Sequence, residues 1–88
     1  MLVDYNARSI YYRSMQNAKE RIAKGDSEKR AGSTKSAEGF YKGARGAYEN
    51  CFELAELYDD EDCKKEALEG LKKCDRLISQ VASKKLDK

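Results

Sequence analysis

The 88-residue sequence contains no histidine, no proline and no tryptophan. Histidine is the side chain whose ordinary pKa lies nearest to neutral pH, so its absence excludes serine–histidine–aspartate catalysis within one chain. The absence of proline removes the commonest helix breaker. Long apolar runs are also missing, and the sequence therefore predicts neither a transmembrane helix nor a signal peptide. We expect a cytoplasmic protein that does not contact a membrane.

Cysteine is scarce, with only Cys51, Cys63 and Cys74. The count is odd, no Cys-x-x-Cys pair is present, and no histidine is available to complete the four ligands of a structural zinc site. Cys51 and Cys74 fall on apolar helical stripes, where a thiol behaves as a small hydrophobic side chain. We expect reduced thiols in the core, no metal and no cofactor.

The acidic residues between Glu53 and Asp62 offer oxygen ligands of the kind that Ca²⁺ and Mg²⁺ prefer, but they lack the Asp-x-Asp-x-Asp-Gly spacing of an EF-hand loop. Their position before a helical stretch favours an N-cap and a favourable first turn instead. Because no set of residues identifies a reaction, the sequence predicts a protein that is not an enzyme.

The charges are nearly balanced, with 18 Lys and Arg against 16 Asp and Glu and a net charge of +2. The two halves differ, because residues 1–50 carry ten basic and six acidic side chains, whereas residues 51–88 carry eight and ten. The asymmetry predicts two differently charged surfaces. Net charge alone does not indicate a polyanion partner.

Helical periodicity accounts for almost the whole sequence and predicts an all-α fold in a single domain over residues 1–88. Asp4 is the expected N-cap of the first helix and Gly25 its expected stop, followed by a polar loop over residues 25–33. Ser33 or Thr34 is the expected cap of the second helix. The predicted helices span about residues 4–24, 34–58 and 60–85, and we expect them to form a small antiparallel three-helix bundle.

Each predicted helix has an apolar stripe. In the third helix the apolar residues are spaced by four, three, four and three, as in the seam of a coiled coil. Leu68, Leu77 and Leu86 flank this seam. Together with the seam they present more apolar surface than two neighbouring helices can cover. This excess predicts a homodimer. The stripes consist of Ala7, Tyr11, Met15, Ala18 and Ile22; of Ala37, Tyr41, Ala44, Tyr48, Cys51, Ala55 and Tyr58; and of Ala67, Leu71, Cys74, Ile78 and Val81.

Three glycines, Gly39, Gly43 and Gly46, lie inside the second predicted helix. A glycine in a helix interior costs about 1 kcal/mol relative to alanine, in a domain whose total stability is of the order of 5 to 15 kcal/mol. Their spacing places them on one face, where a ridge without side chains allows close approach. The ridge serves either internal helix packing or an external partner, and Lys42 and Arg45 complete the candidate partner-binding set.

The run Gly39-Phe-Tyr41-x-x-Ala44-x-x-x-Tyr48-x-x-Cys51 resembles the Gly-x-Tyr-x-x-Ala-x-x-x-Tyr-x-x-Ala run of tetratricopeptide-type hairpins and of the microtubule-interacting-and-trafficking three-helix domain. In both families this run lies on a helix whose small residues allow tight packing, and the domain binds partner peptides in grooves between helices. The resemblance covers about a dozen residues, without the 34-residue repeat of the first family. It implies a binding role.

The sequence thus predicts a module that binds a protein stoichiometrically, as an adaptor, a regulator or an inhibitor, and an inhibitor of a host protein from a phage or other mobile element fits these properties. The alternative is binding of a nucleic acid or a small anionic nucleotide by the basic N-terminal half. In that case tyrosines around an arginine stack on a base, and further basic residues bind phosphates. The residues of this alternative are Tyr5, Arg8, Tyr12, Lys29 and Arg30.

Overall fold

The computed structural model describes residues 5–86, and side chains are described for residues 5–82. It consists of three α-helices: α1 (Tyr5–Arg30), α2 (Thr34–Leu57) and α3 (Glu61–Leu86). Within residues 5–86 there is no strand, so the prediction of an all-α three-helix bundle is confirmed. The expected N-cap of the first helix, Asp4, lies outside the described residues.

Helix α2 lies between the other two helices and packs extensively on both. Short connections reverse the chain after α1 and after α2, so α1 and α3 run in the same direction. The backbones of α1 and α3 make few contacts with each other, and side chains connect them: Tyr11 reaches Glu66 near one end, and Lys29 reaches Gln80 near the other. The bundle is elongated, with extents of 49 × 16 × 13 Å.

The core contains the predicted stripes of all three helices. Tyr11, Tyr41 and Tyr48 are its largest side chains, and alanines of α1, α2 and α3 allow the helix backbones to come close around them. Cys51 and Cys74 are buried free thiols, as predicted. Tyr58, the last residue of the predicted α2 stripe, is instead 37% exposed because α2 ends at Leu57.

The predicted stop at Gly25 and the predicted loop over 25–33 are wrong. Helix α1 continues through Gly25 to Arg30, and only residues 31–33 connect it to α2. The physical reason is tertiary packing: Gly25 is buried beneath the ring of Tyr41, whose hydroxyl donates a hydrogen bond to Asp26 Oδ1 at 2.5 Å. The residue that ends the helix is Gly32, with a φ of +87° that suits glycine.

The cap of α3 lies where the acidic cluster predicts it. The backbone N–H of Cys63 donates to Asp60 Oδ1 at 3.0 Å, the geometry of an N-cap, and Glu61 and Asp62 occupy the first turn. At α2, by contrast, Ser33 occupies the N-cap position without a side-chain hydrogen bond to the helix.

The α3 seam packs on α2 as the coiled-coil spacing predicts. Ala67, Cys74 and Val81 are buried, and Leu71 and Ile78 are partly buried against the core. Of the leucines that flank the seam, Leu77 is also partly buried against the core, Leu68 is 41% exposed, and the side chain of Leu86 lies outside the described residues. The homodimer stays a prediction.

Candidate partner-binding face on helix α2

Gly39 and Gly46 lie on the solvent-exposed face of α2, opposite the core. A Cβ atom built on either residue would meet nothing within 4 Å outside its own helix backbone. Internal packing therefore does not explain these two glycines. They leave a section of bare helix backbone on the outer surface, and we refer to the exposed strip from Lys35 to Leu57 that contains them as the outer face of α2.

Gly43 lies at the border of this face toward α1. A Cβ there would come within 2.5 Å of Nη1 of the Arg21 guanidinium group. The same side chain is held in place by a hydrogen bond from its Nε to Asn17 Oδ1 at 3.1 Å. The Arg21 side chain thus covers Gly43. This glycine serves packing between α1 and α2, although its neighbour is the flexible end of a side chain.

The glycines that the core requires are two others: Gly25, which the sequence predicts as a helix stop, and Gly70, for which the sequence pattern predicts no role. Tyr41 packs on Gly25 of α1, and Tyr48 packs on Gly70 of α3, where a Cβ would overlap the tyrosine ring in each case. Each pair joins a bulky ring on α2 to a glycine on a neighbouring helix. An isolated glycine on the buried face of a helix is the sequence signal that indicates such an arrangement.

The two basic residues predicted beside the glycines have different positions. Lys42 lies on the outer face, 3.5 Å from Glu38 Oε2, with its side chain 62% exposed. Arg45 instead contacts α3, where its Nε donates to Asp75 Oδ1 at 2.7 Å and its Nη1 pairs with Glu49. The structure therefore places Arg45 at the α2–α3 junction rather than on the outer face of α2.

A shallow groove of about 310 Å³ runs between α1 and α2 next to the outer face. Its apolar edges are Ile10, 50% exposed, and Leu57, 75% exposed, and Leu54 is partly buried between them. Neither Ile10 nor Leu57 was predicted as a site residue, since both fall outside the apolar stripes. Their exposure beside a bare helix surface is visible only in the folded arrangement.

The charge along the outer face changes sign. Its N-terminal half presents the exposed side chains of Lys35 and Lys42, and its C-terminal half presents Glu49, Glu53 and Glu56. Glu49 pairs with Arg45, whereas no ion pair or hydrogen bond of Lys35 or Glu53 is found within the described part of the chain. The outer face is thus basic at its N-terminal end and acidic at its C-terminal end.

Tyr11, Cys51 and Cys74 bring a hydroxyl group and two thiols into the core. The Tyr11 hydroxyl donates to Glu66 Oε1 at 2.7 Å and lies 3.2 Å from the Cys63 carbonyl oxygen. Burial raises the pKa of the Cys51 and Cys74 thiols to about 11, so both are protonated at neutral pH. A protonated, buried thiol is a poor nucleophile. Among the described residues no group of three or more metal-ligating side chains is close enough to hold a metal ion.

The alternative nucleotide-binding residues lie in two groups along α1. Tyr5 and Tyr12 are 80% and 61% exposed on a flank of α1, and Tyr12 meets Tyr11 edge to face with ring centroids 5.5 Å apart. Lys29 and Arg30 lie in the last turn of the same continuous helix, about 26 Å beyond Tyr12 and about 36 Å beyond Tyr5 at 1.5 Å per residue. The structure therefore separates the tyrosine flank from the basic pair.

No family model, no curated protein and no solved structure matches the chain. Within the described residues, no helix is sufficiently long and apolar to cross a membrane.

Proposed function

We propose that the protein is a non-enzymatic module that binds a partner protein stoichiometrically through the outer face of α2, as an adaptor, a regulator or an inhibitor. The observation that carries the proposal is the exposure of Gly39 and Gly46 in the middle of a 24-residue helix. Together they cost about 2 kcal/mol of helix stability relative to alanine. Contacts within the described chain do not require them, so the gain is expected from a partner.

The kind of contact follows from the shape of the face. A helix surface without side chains lets a second backbone approach closely, and the neighbouring groove offers Ile10 and Leu57 as apolar contacts. An amphipathic helix of the partner fits this combination, with its apolar side chains in the α1–α2 groove and its small residues against Gly46. Binding of this kind needs no catalytic group, and the protein acts by occupying its partner.

The test is capture of the partner from lysate of the source cells by the full chain, followed by identification and by titration with the purified partner. Gly46→Leu is the test variant, because a leucine there has room in the free protein but fills the proposed contact surface. Lys72→Glu, an exposed change on α3, is the matched control. We expect Gly46→Leu to lose the partner and Lys72→Glu to retain it. Equal capture by both variants would contradict the proposed face.

Salt dependence separates this proposal from nucleic-acid binding. Affinity for a polyanion falls steeply with ionic strength because counterions are released, whereas a contact built on apolar groups and close backbone packing depends on salt only weakly. A steep fall, retained in Gly46→Leu and removed by Arg8→Ala, would favour the alternative on the α1 flank.

A further inference from the structure

We propose that the outer face of α2 also binds a second copy of this chain in antiparallel orientation, so that the free protein covers its own binding face. The regulatory consequence, competition between the second copy and a partner, rests on the function proposed above. The self-association itself does not, because it follows from the charge pattern of the face and can be measured with the purified chain alone.

The charge pattern of the outer face is complementary to itself. Lys35 at the basic end and Glu53 at the acidic end are both exposed, and neither has an ion pair or hydrogen bond within the described part of the chain. When two such faces meet in parallel, basic residues oppose basic residues. When they meet in antiparallel orientation about a two-fold axis, the basic end of each copy opposes the acidic end of the other, and each ion pair occurs twice.

The spacing of the residues defines the register of this pair. Lys35 and Glu53 lie nine residues before and nine residues after position 44, and both project from the same face of α2. A two-fold axis at this position sets Lys35 opposite Glu53 of the second copy. The same axis sets Lys42 opposite Gly46, within one helical turn of Glu49. The helices then cross between Gly43, which the Arg21 side chain covers at the border of the face, and Gly46, which is bare.

The size of the molecule limits the strength of the dimer. The broad side of the whole molecule, 49 by 16 Å, has a projected area similar to the roughly 800 Å² that each partner buries in a standard interface, and the outer face of α2 is only part of that side. Ile10 and Leu57 at its edge supply the exposed apolar side chains. We therefore expect dissociation in the micromolar range, weak enough for a partner to displace the second copy.

Charge-reversed variants test the proposal by sedimentation equilibrium of the full chain. Lys35→Glu and Glu53→Lys each set like charges opposite one another in the homodimer, so each alone should weaken association at least tenfold. Mixed in equal amounts, they should form a heterodimer with about the affinity of the wild type, since one ion pair is the same as in the wild type and the other is restored with its charges exchanged. The double variant should associate as the wild type does. Circular dichroism confirms that each variant is folded.

Two controls separate this dimer from others. Lys72→Glu changes an exposed charge on α3 and should leave association unchanged, and Leu68→Glu tests a dimer through the exposed leucine of α3. A strictly monomeric wild type at several hundred micromolar would overturn the proposal. So would failure of the mixture to restore association, or loss of the dimer in Leu68→Glu with retention in Lys35→Glu. Failure of partner capture with an intact dimer would contradict only the proposed function.

Discussion

The ring of Tyr41 lies over Gly25, so closely that a Cβ atom on Gly25 would come within 2.6 Å of a ring carbon. Tyr48 has the same relationship to Gly70 on the other side of α2. The central helix therefore holds each neighbouring helix by a tyrosine that fits where a side chain is missing. Gly39 and Gly46 have no such counterpart in the described chain, and this contrast underlies the first prediction.

Substituting alanine for glycine should have opposite effects at the two kinds of position. Gly39→Ala and Gly46→Ala should each raise the free energy of unfolding by up to about 1 kcal/mol, since alanine favours the helix and meets open space. Gly25→Ala and Gly70→Ala should lower it by about 1 to 3 kcal/mol, because the added methyl group overlaps a buried tyrosine ring. Urea unfolding of the four variants measures the difference.

Gly32→Ala is the matched control for conformational strain, because Gly32 has open space around it but a positive φ. It should destabilise the protein through its backbone conformation alone. Four variants with the same sign of effect would contradict the distinction between core glycines and outer-face glycines.

The sequence predicts the helices and the core well because helical periodicity is a local property. The residues from Ala7 to Ile22 repeat at intervals of three and four, and such a stripe is buried whichever helix packs on it. The prediction of a helix stop at Gly25 is wrong for the opposite reason: a glycine before a polar stretch resembles a helix stop, and the tyrosine that makes it part of the core comes from the next helix. Local propensity is overruled by tertiary packing there.

The candidate site likewise combines features that are local in the sequence with contacts that depend on how the helices pack. The glycines and Lys42 could be predicted from their spacing on α2, but the turn of Arg45 toward Asp75 depends on where α3 packs. Ile10 and Leu57 lie on different helices, far apart in the sequence, and they border one groove only after α1 and α2 have paired. Residues brought together by packing leave no periodic signal.

Tyr41→Phe should lower the free energy of unfolding by about 1 kcal/mol, because it keeps the ring on Gly25 and removes the hydrogen bond to Asp26. Tyr12→Phe is the matched control, since the exposed ring of Tyr12 should contribute little through its hydroxyl. Chemical denaturation at neutral pH compares the two variants. An equal loss of stability in both would show that the Tyr41–Asp26 contact does not stabilise the end of α1.

The buried thiols should make the protein sensitive to alkali. Burial raises the pKa of Cys51 and Cys74 to about 11 in the folded state, from an ordinary value near 9. Between these values the unfolded chain releases thiol protons that the folded chain retains, so the free energy of unfolding should fall as the pH rises from about 9 to about 11. The test is urea unfolding at several pH values across this window.

The double variant Cys51→Ala and Cys74→Ala should be less stable at neutral pH because it leaves small cavities in the core. Its stability should nevertheless depend less on pH between about 9 and 11 than that of the wild type. If the two proteins lose stability in parallel over that range, the alkaline sensitivity belongs to other groups, such as Tyr41, whose pKa burial raises to about 12.

The cap of α3 should make the protein sensitive to acid. Asp60 Oδ1 accepts a hydrogen bond from the Cys63 backbone N–H at 3.0 Å, and this bond lowers the pKa of the Asp60 carboxyl group below its ordinary value of 3.8. A carboxylate with a lowered pKa stabilises the folded state above the unfolded value, and this contribution is lost as the pH falls through the folded value. Asp60→Asn should therefore remain capped, because an asparagine oxygen also accepts the bond, but residue 60 should no longer make its stability fall as the pH drops below about 4. Asp60→Ala should lower the free energy of unfolding at neutral pH as well, because the N–H of Cys63 then has no side-chain acceptor. Thermal unfolding of the three proteins at pH 3 and pH 7 measures both effects, and an Asp60→Ala variant as stable as the wild type at pH 7 would show that α3 does not depend on this cap.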